Sequence, residues 1–118
     1  MKFLLLLLAA PVWLSKTCND KKEAEKTAQI PACIQAKIDT ILNNPRWNPP
    51  AQVNEYSYKG KRVFLFSAPC CDQYEELYDE NCTYLCAPSG GFTGRGDTKC
   101  VDFKDSASFV KLVWKDER

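Results

Sequence analysis

Apolar positions along the chain fall into three patterns: a helical stripe, alternating strand-like runs and one unbroken stretch at the start. The stripe is Ile30, Ile34, Ile38, Ile41 and Leu42, whose spacings of four, four, three and one lay a single apolar face along a helix, with Lys37 and Asp39 pointing elsewhere. Pro31 suits the first helical turn, where a missing N–H costs nothing. Asn43-Asn44-Pro45 ends the helix, because the residue before a proline is pushed out of the helical region. Two strands are then predicted, Gln52 to Tyr58 and Lys61 to Phe66, joined by Lys59-Gly60 as a hairpin. Val63-Phe64-Leu65-Phe66 is a β-branched and aromatic run that suits a sheet interior. Gln73 to Tyr78 and Thr83 to Ala87 predict a second hairpin around Asp79-Glu80-Asn81-Cys82, with a short helix over Tyr74 to Tyr78 as the competing reading. Val110, Leu112 and Trp114 alternate with Lys111, Val113 and Lys115, which predicts a half-buried last strand. The sum is an α+β fold: one N-terminal helix packed on an antiparallel sheet of four or five strands, stapled by disulfides.

The unbroken run, Phe3 to Leu14, follows Lys2 and is ended by Lys16. Its twelve apolar residues fall short of the roughly 20 that a bilayer-spanning helix needs. A basic start, an apolar core and a nearby cysteine are the layout of an export signal, assigned to residues 1–17. Cys18 follows at once and precedes the polar run Asn19-Asp20-Lys21-Lys22-Glu23, as at the lipid-bearing cysteine of a bacterial lipoprotein. Ser15, Lys16 and Thr17 depart from the aliphatic and small residues usual before that cysteine, so simple secretion with cleavage near Ser15 to Thr17 stands as the alternative. Residues 18–30 read as an anchor site and polar tether, and residues 31–118 as a single domain. The expected location is the periplasm or outer membrane, with the chain held to the membrane through a lipid on Cys18.

Composition sharpens this. The 118 residues include no histidine, seven cysteines, and 16 basic against 15 acidic side chains. Lack of histidine excludes a Ser-His-Asp triad, a Cys-His pair and an imidazole zinc site. Near-neutral charge removes the footprint of a nucleic-acid binder. An odd cysteine count leaves one to explain, and acylation of Cys18 leaves six that can close three disulfides. Fifteen connectivities are open; the set expected here is Cys71 with Cys82, Cys86 with Cys100, and Cys33 with Cys70.

The remaining motifs each have a bland reading that outweighs the chemical one. Cys70-Cys71 would be a vicinal redox or soft-metal pair, but two independent staples reaching in opposite directions suffice in an oxidising compartment. The segment Gly90 to Thr98, GGFTGRGDT, has phosphate-loop spacing, yet Asp97 stands where the lysine should be. Its Arg95-Gly96-Asp97 tripeptide, shared with some adhesion ligands, is taken as coincidence within a surface loop. Asp79, Asn81, Asp97 and Asp102 surround this region, but Tyr84 and Gly90 occupy the positions where a calcium loop needs glycine and glutamate. Asp72, Glu75, Glu76, Asp79 and Asp97 are the acid–base candidates; Glu75 and Glu76 are adjacent, so on a strand they face opposite ways. Trp47, Tyr56, Tyr58, Tyr74 and Tyr78 are expected mainly in the core, with a ligand surface as the alternative reading. Asn81-Cys82-Thr83 matches a glycosylation acceptor, meaningful only in a eukaryote.

Five segments occur in order: CIQAKIDTI, YSYKGKRVFLF, PCCDQYEELYDENCTYLC, GGFTGRGD and KLVWKDER. Together, over about residues 33–118, they resemble an uncharacterised family, a domain of unknown function, of small lipoproteins and secreted proteins from Bacteroidota. The resemblance implies an envelope location and no substrate, cofactor or catalytic residue. No catalytic residue, cofactor or metal ligand is therefore assigned. The expected function is a non-enzymatic, membrane-tethered envelope module that binds a protein, peptide or glycan through its sheet and glycine loop. A redox or metal-handling protein using Cys70 and Cys71 is the alternative, and a carboxylate-based hydrolase a weaker one.

Overall fold

The computed structural model describes residues 29–118; the expected export signal, Cys18 and nearly all of the expected tether lie outside the described residues. Helix α1 spans Ala32–Leu42, preceded by Pro31 in an extended conformation and entered through a bond from the Gln35 N–H to the Pro31 carbonyl. Strands β1 (Gln52–Tyr58) and β2 (Lys61–Phe66) form the first hairpin, β3 (Tyr74–Asp79) and β4 (Tyr84–Gly90) the second. Helix α2 (Phe103–Ser106) is one short turn with no counterpart in the sequence reading, and β5 spans Ser108–Lys115. The result is one helix on a five-stranded antiparallel sheet in the order β4-β3-β2-β1-β5. Tyr74 to Tyr78 is strand, not helix.

The first hairpin turns on Lys59 and Gly60, both at positive φ (50° and 74°), as a two-residue turn matched to strand twist requires. From it the register runs Tyr58 opposite Lys61 to Val53 opposite Phe66. Period-two alternation then assigns two faces. On one, Val53, Phe64 and Phe66 pack beneath Ile34, Ile38 and Ile41 of α1, all at most 8% exposed. Each such side chain contributes about 1.5–3 kcal/mol on full burial. Glu55 is buried on this face too, paired with Arg62 (Nη2 to Oε1, 2.9 Å).

The opposite face carries Tyr58, Val63, Leu77 and Cys86. It is covered by the connection from β4 to β5, which must cross the whole sheet because these strands lie at opposite edges. Phe103 of α2 plugs this crossover against Tyr56 and Tyr58, with ring centroids 5.0 and 5.3 Å apart. The Cys86–Cys100 disulfide fastens it to β4. The crossover also bonds along β4: the Asp97 N–H reaches the Ala87 carbonyl at 2.9 Å, and the Gly96 N–H that of Gly90 at 3.0 Å.

Two expectations need correction. The last strand does not alternate cleanly: register irregularities against β1 leave Val110 and Leu112 about half exposed, while Val113 and Trp114 both pack towards the helix-side core. The cysteines also pair differently. Cys33 is bonded to Cys82 in the β3–β4 turn, not to Cys70, and Cys70 is bonded to Cys71, not reaching away from it. Helix α1 lies over the sheet with Cys33 at its start, so the nearest partner is the turn at the end of β3, 49 residues on.

Candidate functional site

An α-helix is about 10–12 Å across, whereas five strands spaced about 4.8 Å apart make a sheet about 19 Å wide. One helix cannot cover that width. Helix α1 sits on β1 and β2, and the helix-side residues of β3, namely Tyr74, Glu76 and Tyr78, are left beside it. A cleft of about 530 Å³ opens there.

Its walls come from five places, β3 itself among them. Lys37, Thr40 and Ile41 project from α1, and Trp47 from the connection to β1. Phe66 and Ser67 lie at the end of β2, and Asp72 and Gln73 in the loop before β3. Tyr78 is the hub. Its ring meets Phe66 edge-on at 5.5 Å and Tyr84 at 5.8 Å, and the Lys37 ammonium lies 4.1 Å from its centroid. Its hydroxyl donates to the Glu76 carboxylate. Burial, then that acceptor, push the Tyr78 hydroxyl well above the ordinary phenol range, so it stays a donor. Neighbouring Tyr84 is pushed up to about 12 by burial and by donation to Asp97 (2.7 Å).

Tyr74 is 44% exposed, yet its ring is backed by Gly91, where a β-carbon would collide with it. The Gly91 N–H also bonds to the Gln73 carbonyl at 3.0 Å. The start of the glycine loop thus fixes one wall of the cleft, while Phe92 beyond it is 92% exposed. Cys70 and Cys71, bonded to each other, sit between Pro69 and Asp72, which both line the cleft.

The other sequence candidates scatter. Glu75 faces the opposite side of the sheet, where its carboxylate accepts from Ser89 in a hollow of about 420 Å³. Asp79 accepts from the N–H groups of Asn81 and Thr83 (2.8 and 2.9 Å), closing the β3–β4 turn. Asp102 accepts from the Tyr58 hydroxyl at 2.6 Å, and this bond holds its carboxyl below the usual range. Burial raises the Asp97 carboxyl, but the Tyr84 hydroxyl and the backbone N–H groups of Lys99 and Ala87 outweigh it and hold it low. Three of the four oxygen ligands considered for calcium, Asp79, Asp97 and Asp102, are thus engaged locally. Among the described residues no group of three or more histidine, cysteine, aspartate or glutamate side chains is placed to hold a metal ion. Among them, too, no helix is long and apolar enough to cross a membrane.

Of the aromatics, Tyr58 is buried and Tyr56 half-buried in the second core, as expected. Trp47 and Tyr78 are partly buried against the helix-side core and, with Tyr74, also line the cleft. A signal for this was present: Tyr74-x-Glu76-x-Tyr78 places two aromatics and a carboxylate on one face of a strand, a polar mixture that a closed core does not take.

The family described as Domain of unknown function (DUF6970) matches residues 39–116, most of the described fold, and the chain belongs to it. No curated protein and no solved structure matches the chain.

Proposed function

We propose that this member of the family is an exported, non-enzymatic binding module, tethered to the cell envelope through a lipid on Cys18, whose ligand site is the cleft between α1 and β3. One observation carries the reading: the cleft combines aromatic faces with a few polar groups of both signs, at about 530 Å³, within the roughly 300–1,000 Å³ usual for ligand pockets. The export reading is supported by the apolar leader, and by six cysteines bonded in three pairs, which suits an oxidising compartment. The surface proposed from sequence narrows accordingly. Helix α1 and the crossover cover the middle of the two sheet faces, and contact is assigned to the cleft beside α1, with the glycine loop contributing through its support of Tyr74.

Two measurements test this. Intact mass of the protein taken from the envelope is expected to show loss of residues 1–17 and acylation of Cys18. A panel of glycoside, ester and peptide substrates is expected to give no turnover. Turnover abolished by Asp72→Asn or Glu76→Gln would replace the binding reading with the carboxylate hydrolase.

A second reading rests on the bond between Cys70 and Cys71 beside the cleft. An external dithiol that reduces it is itself oxidised to a disulfide, and two thiols are freed at the rim. Alkylation after graded exposure to that dithiol separates the readings. Label on Cys70 and Cys71 before any of the other four bonded cysteines supports a redox role; reduction no earlier than at Cys33–Cys82 and Cys86–Cys100 removes it.

A further inference from the structure

We propose that the ligand of the cleft is a neutral saccharide. This rests on the cleft being the binding site, and it follows from which groups there are already engaged. Trp47 and Tyr74 offer aromatic surfaces, the second 44% exposed and held in place by Gly91. An aromatic cage with carboxylates nearby suggests at first an organic cation. However, the π face of Tyr78 is already taken by the Lys37 ammonium at 4.1 Å, which repels a second cation. Asp72 and Glu76 repel an anion in turn. A ligand of either single charge meets repulsion as well as attraction here, whereas a neutral one meets no repulsion.

Hydrogen-bonding capacity narrows the class. Asp72 and Glu76 only accept, Lys37 only donates, and Thr40, Ser67 and Gln73 do both. A ligand that satisfies this set must donate and accept at closely spaced points while laying apolar surface on aromatic rings. Sugar rings do this: their hydroxyls serve both roles around the rim, and their C–H faces stack. An extended peptide is the neutral rival. It gains most of its affinity by adding to a free strand edge, and none opens here, because β3 is paired on both sides, to β2 and to β4.

The test uses the full chain in a non-glycosidic detergent, with the Trp47 indole N–H followed by NMR where Trp47 is kept and affinity measured by titration calorimetry in every variant. The probes are maltotriose, cellotriose and chitotriose as neutral saccharides, choline as a cation, trigalacturonate as an anion, and an N-acetylated tripeptide amide. At least one neutral trisaccharide is expected to shift the Trp47 signal saturably. Trp47→Ala and Tyr74→Ala should weaken that binding at least tenfold, and Asp72→Asn, in an exposed loop, should weaken it without touching the fold. Trp47→Phe should keep most of it, which guards against misfolding of the alanine variant. Saturation of the cleft by choline, trigalacturonate or the tripeptide alone would overturn the saccharide and leave the cleft standing as a site. Silence from every probe, or saccharide binding indifferent to Trp47→Ala, would overturn both.

Discussion

Arg118 grips the buried carboxylate of Asp116 with two nitrogens, Nη2 to Oδ2 at 2.8 Å and Nε to Oδ1 at 3.0 Å, while its Nη1 donates to the carbonyls of Leu42 and Asn44 at 3.0 and 3.1 Å. The Leu42 carbonyl belongs to the last turn of α1, where helical acceptors lack partners, and that of Asn44 lies two residues beyond it. The Asp116 N–H in turn bonds to the Ala51 carbonyl at 2.8 Å, so one ion pair ties the segment after β5 to the helix and to the start of β1.

An acid dependence follows from this pair. The Arg118 hydrogen bonds hold the Asp116 carboxyl below its ordinary value, despite the opposing effect of burial. The folded state therefore binds fewer protons than the unfolded chain, whose aspartates titrate near about pH 3.9. The stability contributed is complete above that pH and is lost as pH falls through the depressed folded value. Thermal melts should show Asp116→Asn less stable than wild type at pH 7, with the gap closing below about pH 4. A gap that stayed constant down to pH 2 would remove the ion pair as its cause.

The three disulfides among the described residues should contribute unequally. Closing a loop restricts the unfolded chain more the longer the loop, by about 4 kcal/mol for some 50 residues and about 3 for some 15. Cys33–Cys82 spans 49 residues and Cys86–Cys100 spans 14, whereas Cys70–Cys71 closes no loop between neighbours. Paired replacement by alanine, read by urea denaturation, should cost most at the first, less at the second and little at the third. A large loss from Cys70→Ala with Cys71→Ala would mean that these two are structural staples after all.

That ranking marks the boundary of what the sequence discloses. Local signals were sufficient for α1 and for both hairpins, because the isoleucine spacing, Pro45 and Lys59-Gly60 act within a few residues of where they stand. Disulfide partners depend on which turn lies beneath Cys33 after the sheet has assembled, and nothing near Cys33 encodes that. The face of β5 was misread for a related reason: alternation holds only while the register with β1 is regular, and the irregularities between Val53 and Asn54 and between Glu55 and Tyr56 shift it. The cleft exists because one helix is narrower than five strands. The alternation in β3 named its residues, but only the position of α1 shows that they stay uncovered.

Glu55 and Arg62 make a buried pair whose side chains are 6% and 19% exposed. Arg62 also donates to the Gln29 carbonyl at 2.9 Å, holding the chain that leads into α1. Removing one partner of such a pair costs about 3–5 kcal/mol, because the remaining charge stays buried, whereas replacing both with apolar residues is often neutral. Arg62→Met should therefore destabilise strongly in urea denaturation, and Glu55→Leu added to Arg62→Met should recover most of the loss. Failure of the double variant to recover would mean that the Gln29 contact, not the buried charge, dominates.

Two glycines separate backbone strain from steric collision. Gly60 (φ 74°) and Gly96 (φ 69°) both occupy the left-handed region, where an L side chain costs about 1–2 kcal/mol. A β-carbon on Gly60 meets nothing within 4 Å, so Gly60→Ala should lose only that amount. At Gly96 the β-carbon would run into the backbone carbonyl of Ala87, which accepts the Asp97 N–H and so holds the crossover to β4. Backbone cannot rotate aside as a side chain can, and Gly96→Ala should lose that bond as well. Urea denaturation should place Gly96→Ala at least about 1 kcal/mol, the net worth of one hydrogen bond, below Gly60→Ala. Hydrogen exchange at the Asp97 amide should rise in the first variant alone. Equal losses at the two positions would show that the crossover yields at no cost and does not rest on this approach.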